Sequence, residues 1–139
     1  MKKLITIFIL FFSPSLHSEI LLFGGNNHDE FLGCLDCNRF DSDSICNKFG
    51  TYGSRFSSDS IFNRFGTYGS RFDSSSPWNR FSSSNSVPVA VDRQGTFYGY
   101  FTINRFRTDA INIAGQLNNI YENADGDLEI VQENLCSIF

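Results

Sequence analysis

Asn47-Lys48-Phe49-Gly50-Thr51-Tyr52-Gly53-Ser54-Arg55-Phe56-Ser57-Ser58-Asp59-Ser60-Ile61-Phe62 runs directly into Asn63-Arg64-Phe65-Gly66-Thr67-Tyr68-Gly69-Ser70-Arg71-Phe72-Asp73-Ser74-Ser75-Ser76-Pro77-Trp78. The second stretch is a copy of the first. A partial copy, Asn38-Arg39-Phe40 and then Asp41 to Cys46, precedes them, and another begins at Asn79-Arg80-Phe81. Asn47, Asn63 and Asn79 set a period of 16 residues, the mark of a tandem repeat.

The local chemistry of each copy predicts one short helical turn. Ser60 is placed to cap the first turn with its hydroxyl, and Gly66 suits the residue that ends it. Pro77 stands where Ile61 stood, at the first helical position that proline favours. A single turn is unstable alone, so the rings between Phe49 and Phe81 are expected to turn inward and hold the tract together. Each ring can bury about 150–250 Å², and they are the large apolar groups in a tract of Ser, Gly, Asn, Asp and Arg. A disordered low-complexity segment and an in-register stacked fibre are the competing readings.

Outward from the repeat, the chain divides simply. Lys2 and Lys3 precede the apolar run Leu4–Phe12, and polar residues follow to Ser18, so residues 1–18 read as a secretory signal peptide. The run is half the roughly 20 residues a membrane span needs, so no transmembrane anchor is expected after processing. Residues 19–139 form one domain, with the tandem repeat at 38–81, a β-hairpin at 87–103 and a helical part at 109–139. In the hairpin, Val87–Val91 and Thr96–Ile103 flank the turn Asp92-Arg93-Gln94-Gly95. Pro88 points to an edge strand. In the last part Asp109 is the expected N-cap, Ile113, Leu117, Ile120 and Tyr121 share a face, and Leu128, Val131, Leu135 and Phe139 mark a second amphipathic stretch. The fold class is α+β: a small irregular domain of repeated aromatic turns, one hairpin and C-terminal helix or helices.

Charge is unevenly spread. The chain holds 11 basic and 15 acidic residues, and loss of Lys2 and Lys3 leaves 9 against 15, a net charge of -6. The repeat is weakly basic, whereas the residues from Thr108 onward carry six acids and no base. These two regions are expected to pair with each other. Export and negative charge exclude nucleic acid as the natural partner.

Cys34, Cys37, Cys46 and Cys136 survive processing, and an even number in an exported chain implies two disulfides. One bond is expected within the Cys34/Cys37/Cys46 cluster and one from its remaining member to Cys136. Cys46 occupies the place of Phe62 and Trp78 in the later copies, so a cystine there would stand in for a buried ring. The Cys34-Leu35-Asp36-Cys37 spacing lacks the βαβ setting of a thiol redox site, and a zinc site lacks a second such pair. Asn123, Asp125, Asp127 and Glu129 alternate like calcium ligands, but Leu128 and Asn134 fall where that loop needs Gly and Glu. No cofactor is implied.

His17 leaves with the leader and His28 stands alone, so no histidine-based catalytic set is legible. Arg55, Arg64 and Arg71 with Tyr52, Tyr68 and Trp78 interleave cation and ring, as glycan-binding surfaces do; the bland alternative is that arginine stems cover rings inside the fold. The chain reads as a structural or binding protein, periplasmic or secreted, facing an unidentified extracellular or envelope ligand or protein. The alternative is a small secreted hydrolase working through acidic residues.

Phe31 to Phe81, with Val87–Asp92 and Gly95–Thr102, resembles a group of uncharacterised exported bacterial proteins. They share Phe/Tyr-Gly-x-Tyr-Gly-Ser and Ser-Pro-Trp-Asn elements. The resemblance implies class and compartment and carries no activity or site residue.

Overall fold

A computed structural model describes residues 18–139. The signal-peptide reading falls almost wholly on residues 1–17, outside the described residues. Two β-strands, β1 (Ile20–Gly24) and β2 (Glu30–Cys34), open the domain. β3 (Val89–Asp92) and β4 (Phe97–Tyr100) follow the repeat, and α1 (Ala114–Asn123) and α2 (Leu128–Cys136) end it. All strand pairs are antiparallel in the order β2-β1-β3-β4. The fold is therefore α+β, as the sequence predicts. The hairpin is β3 and β4, but β3 is central rather than an edge. Pro88 lies just before it, so its missing N–H costs the ladder nothing.

Between the second and third strands the repeat departs from the expected helical turns. Residues 38–84 contain no helix and instead form a continuous run of β-turns. Each turn closes by an N–H donating to a carbonyl three residues back, as in Asn47 to Ser44, Ser60 to Ser57, Asn63 to Ser60 and Asn79 to Ser76. The first residue of each triplet is Asn, Asp or Ser, and its side chain accepts from the amide two residues on. Ser44 takes the Cys46 amide at 3.0 Å, Ser60 that of Phe62 at 3.1 Å, and Ser76 that of Trp78 at 3.1 Å. Asn47, Asn63 and Asn79 do the same for Phe49, Phe65 and Phe81. These are the residue types that close local turns with their own side chains. The Ser60 hydroxyl does accept a local amide, but it caps no helix. It initiates a β-turn, and Pro77 sits at the second turn position that proline also favours.

One longer step explains the period of 16. Gly50-Thr51-Tyr52-Gly53 and Gly66-Thr67-Tyr68-Gly69 are closed by Ser54 and Ser70 donating four residues back. Four triplets and one such quartet make a coil. Asparagine recurs once per coil because its amide is used twice. While Oδ1 accepts, Nδ2 of Asn63 donates to the Ser57 carbonyl at 3.0 Å, and Asn79 does the same to Asp73 at 3.1 Å. Gly69 is required by space: a Cβ there would lie 1.8 Å from the Asn63 carbonyl oxygen.

Only one triplet per coil faces the core. Ser44-Ile45-Cys46, Ser60-Ile61-Phe62 and Ser76-Pro77-Trp78 are buried. The Cys46–Phe62–Trp78 equivalence expected from the alignment of copies is thus an inward column. The expectation that the rings between Phe49 and Phe81 all turn inward is corrected: Phe49, Phe56, Phe65, Phe72 and Phe81 are 80–101% exposed. A three-residue rise puts most third positions on the outside, and the apolar interior is filled instead by Ile45, Ile61, Phe101 and Ile103.

Helices α1 and α2 pack on each other, and their backbones stay apart from those of the strands. Leu117, Tyr121, Val131 and Leu135 join the inward triplets in one core cluster. The helices thus close the repeat, rather than covering the hairpin sheet. Ile113, not Asp109, precedes α1; Asp109 pairs with Arg107 at 2.7 Å instead. Asp127 caps α2, accepting from the Glu129 and Ile130 amides. Phe139 lies beyond α2 and is half exposed. Gln132 reaches from α2 to the Ile45 and Gly53 carbonyls, both at 2.8 Å.

Cys34 bonds Cys37, and Cys46 bonds Cys136 across 90 residues. This is the expected pairing of one local bond and one long closure. Joined as a disulfide, Cys34 and Cys37 offer no thiolate to a zinc ion.

Candidate binding surface

Six triplets of the repeat end in a cation followed by phenylalanine: 39–40, 48–49, 55–56, 64–65, 71–72 and 80–81. Their spacing alternates between nine and seven residues, because the quartet with its buried tyrosine separates the two pairs of each coil. The chain thereby lays a zigzag of cation-Phe pairs, three of which, Arg55-Phe56, Arg64-Phe65 and Arg71-Phe72, gather at one groove. Arg55, Arg64 and Arg71 each stack on the ring that follows, with the guanidinium carbon 5.0, 4.7 and 4.9 Å from the centroid. Such contacts at exposed positions are worth about 0.5–1 kcal/mol.

The zigzag forms one wall of an open groove of about 1180 Å³. Phe56, Phe65 and Phe72 line it with their arginines, and the turn between α1 and α2 supplies the other wall through Asp125, Gly126, Asp127 and Glu129. That turn uses left-handed backbone at Asp125 and Gly126, φ 53° and 73°. It connects α1 to α2. A second groove of about 580 Å³ shares Arg71, Phe72 and Tyr121 with the first and continues it past Phe81.

Electrostatically the two walls differ. Glu129 binds Arg55 at 3.2 Å and lies 4.0 Å from Lys48, which itself meets Glu133 at 2.9 Å. Arg80 meets Glu122 at 3.6 Å. The basic repeat and acidic C-terminal part do pair, as their composition predicts. Arg64 and Arg71 pair with no carboxylate among the described residues. Asp125 likewise holds no cation.

Of the residues singled out from sequence, the groove gathers Arg55, Arg64 and Arg71. Of the rings chosen with them, Trp78 lines the second groove and Tyr52 and Tyr68 line neither. Trp78 is 1% exposed and packs on Tyr121. Tyr68 is buried and donates to Glu30, and burial first, then that hydrogen bond, holds its phenol well above the ordinary range. Tyr52 is half-buried against Phe31, centroids 4.8 Å apart, its phenol raised chiefly by burial. The exposed rings that replace them are Phe56, Phe65 and Phe72. The signal that finds them is the triplet itself, since Asn, Asp or Ser at every third position fixes which rings share a side. His28 is held at the β1–β2 turn, its Nε2 donating to the Asn85 carbonyl at 2.6 Å, remote from the groove. No family model, curated protein or solved structure matches this chain.

Proposed function

We propose that this chain is an exported binding protein whose ligand lies along the arginine–phenylalanine side of the repeat. The observation that carries the reading is exposure: Phe56, Phe65 and Phe72 stand out in water at 80–84% around one groove. A contiguous exposed apolar patch rimmed by polar groups marks an interaction site. The same fold buries Phe62 one triplet from Phe65 and Trp78 two triplets from Phe72, so the outward rings are not a failure to pack. Two disulfides and a calibrated turn ladder supply a rigid platform, which lowers the ordering cost of binding.

The hydrolase alternative has weaker footing. Glu129 is committed to Arg55, and Asp127 to the first turn of α2. Retention on isolated bacterial envelope material tests the binding reading. The wild-type protein is expected to pellet with it, and a Phe56→Ser/Phe65→Ser/Phe72→Ser variant of unchanged thermal midpoint to stay in solution. Equal pelleting of the two overturns it.

A further inference from the structure

Building on that reading of the groove, we infer that its occupant is a linear, uncharged glycan. Three observations narrow the class. The first is charge. Arg55, Arg64 and Arg71 face Asp125, Asp127 and Glu129 across the first groove, so three cations meet three carboxylates there, and in the second groove Arg80 is paired with Glu122. A polyanion or an anionic bilayer gains from the guanidiniums and loses to the acidic turn, so the groove offers it no net attraction. An uncharged ligand meets no such conflict.

The second observation is the kind of polar group presented. Arg64 and Arg71 offer donors only, and Asp125 offers acceptors only; none has a charged partner among the described residues. A ligand satisfying both walls must donate and accept at closely spaced points. Sugar hydroxyls do both.

The third observation is the rings. Each of Phe56, Phe65 and Phe72 carries its own guanidinium, yet 80–84% of each residue is still exposed. What remains is a row of bare aromatic platforms of the kind that takes the C–H face of a pyranose. Because the two grooves share Arg71, Phe72 and Tyr121, the row continues to Phe81. An extended chain fits it better than a compact ligand.

The test is native affinity electrophoresis of the exported protein in gels containing one polysaccharide each. Neutral probes are hydroxyethyl cellulose, mixed-linkage β-glucan, pullulan and dextran; polygalacturonate is the acidic probe. Phosphatidylglycerol vesicles are examined by flotation. The expected result is retardation by at least one neutral probe, little changed by added salt, because no counterions are released. Phe65→Ser, Arg71→Gln and Asp125→Asn should each weaken it at least about tenfold, roughly 1.4 kcal/mol, while leaving the thermal midpoint unchanged. Salt-sensitive binding only to polygalacturonate or to vesicles, lost in Phe65→Ser, overturns the uncharged-glycan proposal but leaves the groove a binding surface. Retardation that none of the three variants affects, or no retardation by any neutral probe, also overturns it. The envelope-pelleting experiment then judges the binding reading separately.

Discussion

The indole of Trp78 lies parallel to the ring of Tyr121, centroids 5.7 Å apart and planes 8° from coplanar. This contact joins the third coil of the repeat to α1. The indole Nε1 also donates to the Ile61 carbonyl one coil back, so a single side chain ties two coils and a helix. Trp78→Ala is expected to cost about 3–5 kcal/mol, the usual loss for a large buried ring. Trp78→Phe keeps the stack but leaves the Ile61 carbonyl unpaired, at about 1–3 kcal/mol. Urea unfolding monitored by circular dichroism measures both, and a Trp78→Phe variant as stable as wild type would deny the indole hydrogen bond its role.

Phe62 and Phe65 are three residues apart and have opposite fates. Phe62 is 2% exposed and Phe65 84%. Phe62→Ala is expected to destabilise by about 3–5 kcal/mol, and Phe65→Ser to stay within about 0.5 kcal/mol of wild type. Denaturant midpoints of the two variants decide it. A large loss for Phe65→Ser would mean that the outward rings support the fold.

The two disulfides differ in what they close. Chain-entropy estimates give about 4–5 kcal/mol for the Cys46–Cys136 loop of 90 residues and about 2 kcal/mol for the Cys34–Cys37 loop of 3. Replacing each pair by alanine should therefore lower stability unequally, the long closure costing more. Thermal unfolding of the two double variants checks the order.

Asp92 is the acid whose environment in the β3–β4 turn is most specific. The Thr96 amide foremost, then the Tyr98 hydroxyl and the Gln94 amide, hold its carboxyl below the usual value, with burial opposing them. A group with a depressed folded-state pKa contributes stability that is complete above its unfolded value of 3.8 and is lost as pH falls through the folded value. Stability should accordingly decline below about pH 4, and Asp92→Asn should be less stable at neutral pH with a flatter acid limb. Unfolding midpoints across pH 2–7 (roughly the window set by ordinary carboxylates) measure this. Parallel acid limbs would contradict it.

How far the sequence is legible depends on which physical signal is read. One local disulfide and one long closure to Cys136 follow from the clustering of three cysteines, though which of them takes the long bond does not, and the hairpin and the helical end follow from alternation and 3.6-residue periodicity. The turn ladder is equally written in the chain, in Ser54, Ser57, Ser60 and Asn63 and again in Ser70, Asp73, Ser76 and Asn79. It hides behind the 16-residue period because serine before an apolar pair and proline at the second position serve helical starts and β-turns alike. The outward placement of Phe65 and Phe72 follows only from the triplet rise. Read as members of a helical turn, the same rings are assigned inward. Asp109 misleads for a related reason: it is a good cap placed four residues before the actual N-cap, Ile113, and a local pairing with Arg107 claims it first.

Residue-resolved amide hydrogen exchange across 44–82 tests the turn ladder most directly, because it reports each backbone donor separately. The fold predicts a three-residue rhythm. First and third positions such as Ser60, Phe62, Asn63 and Phe65 exchange slowly, second positions such as Arg55, Arg64, Arg71 and Arg80 quickly, with one longer step at Gly66–Gly69. Uniformly fast exchange, or contiguous protection of four or more consecutive amides as in a helix, would contradict it.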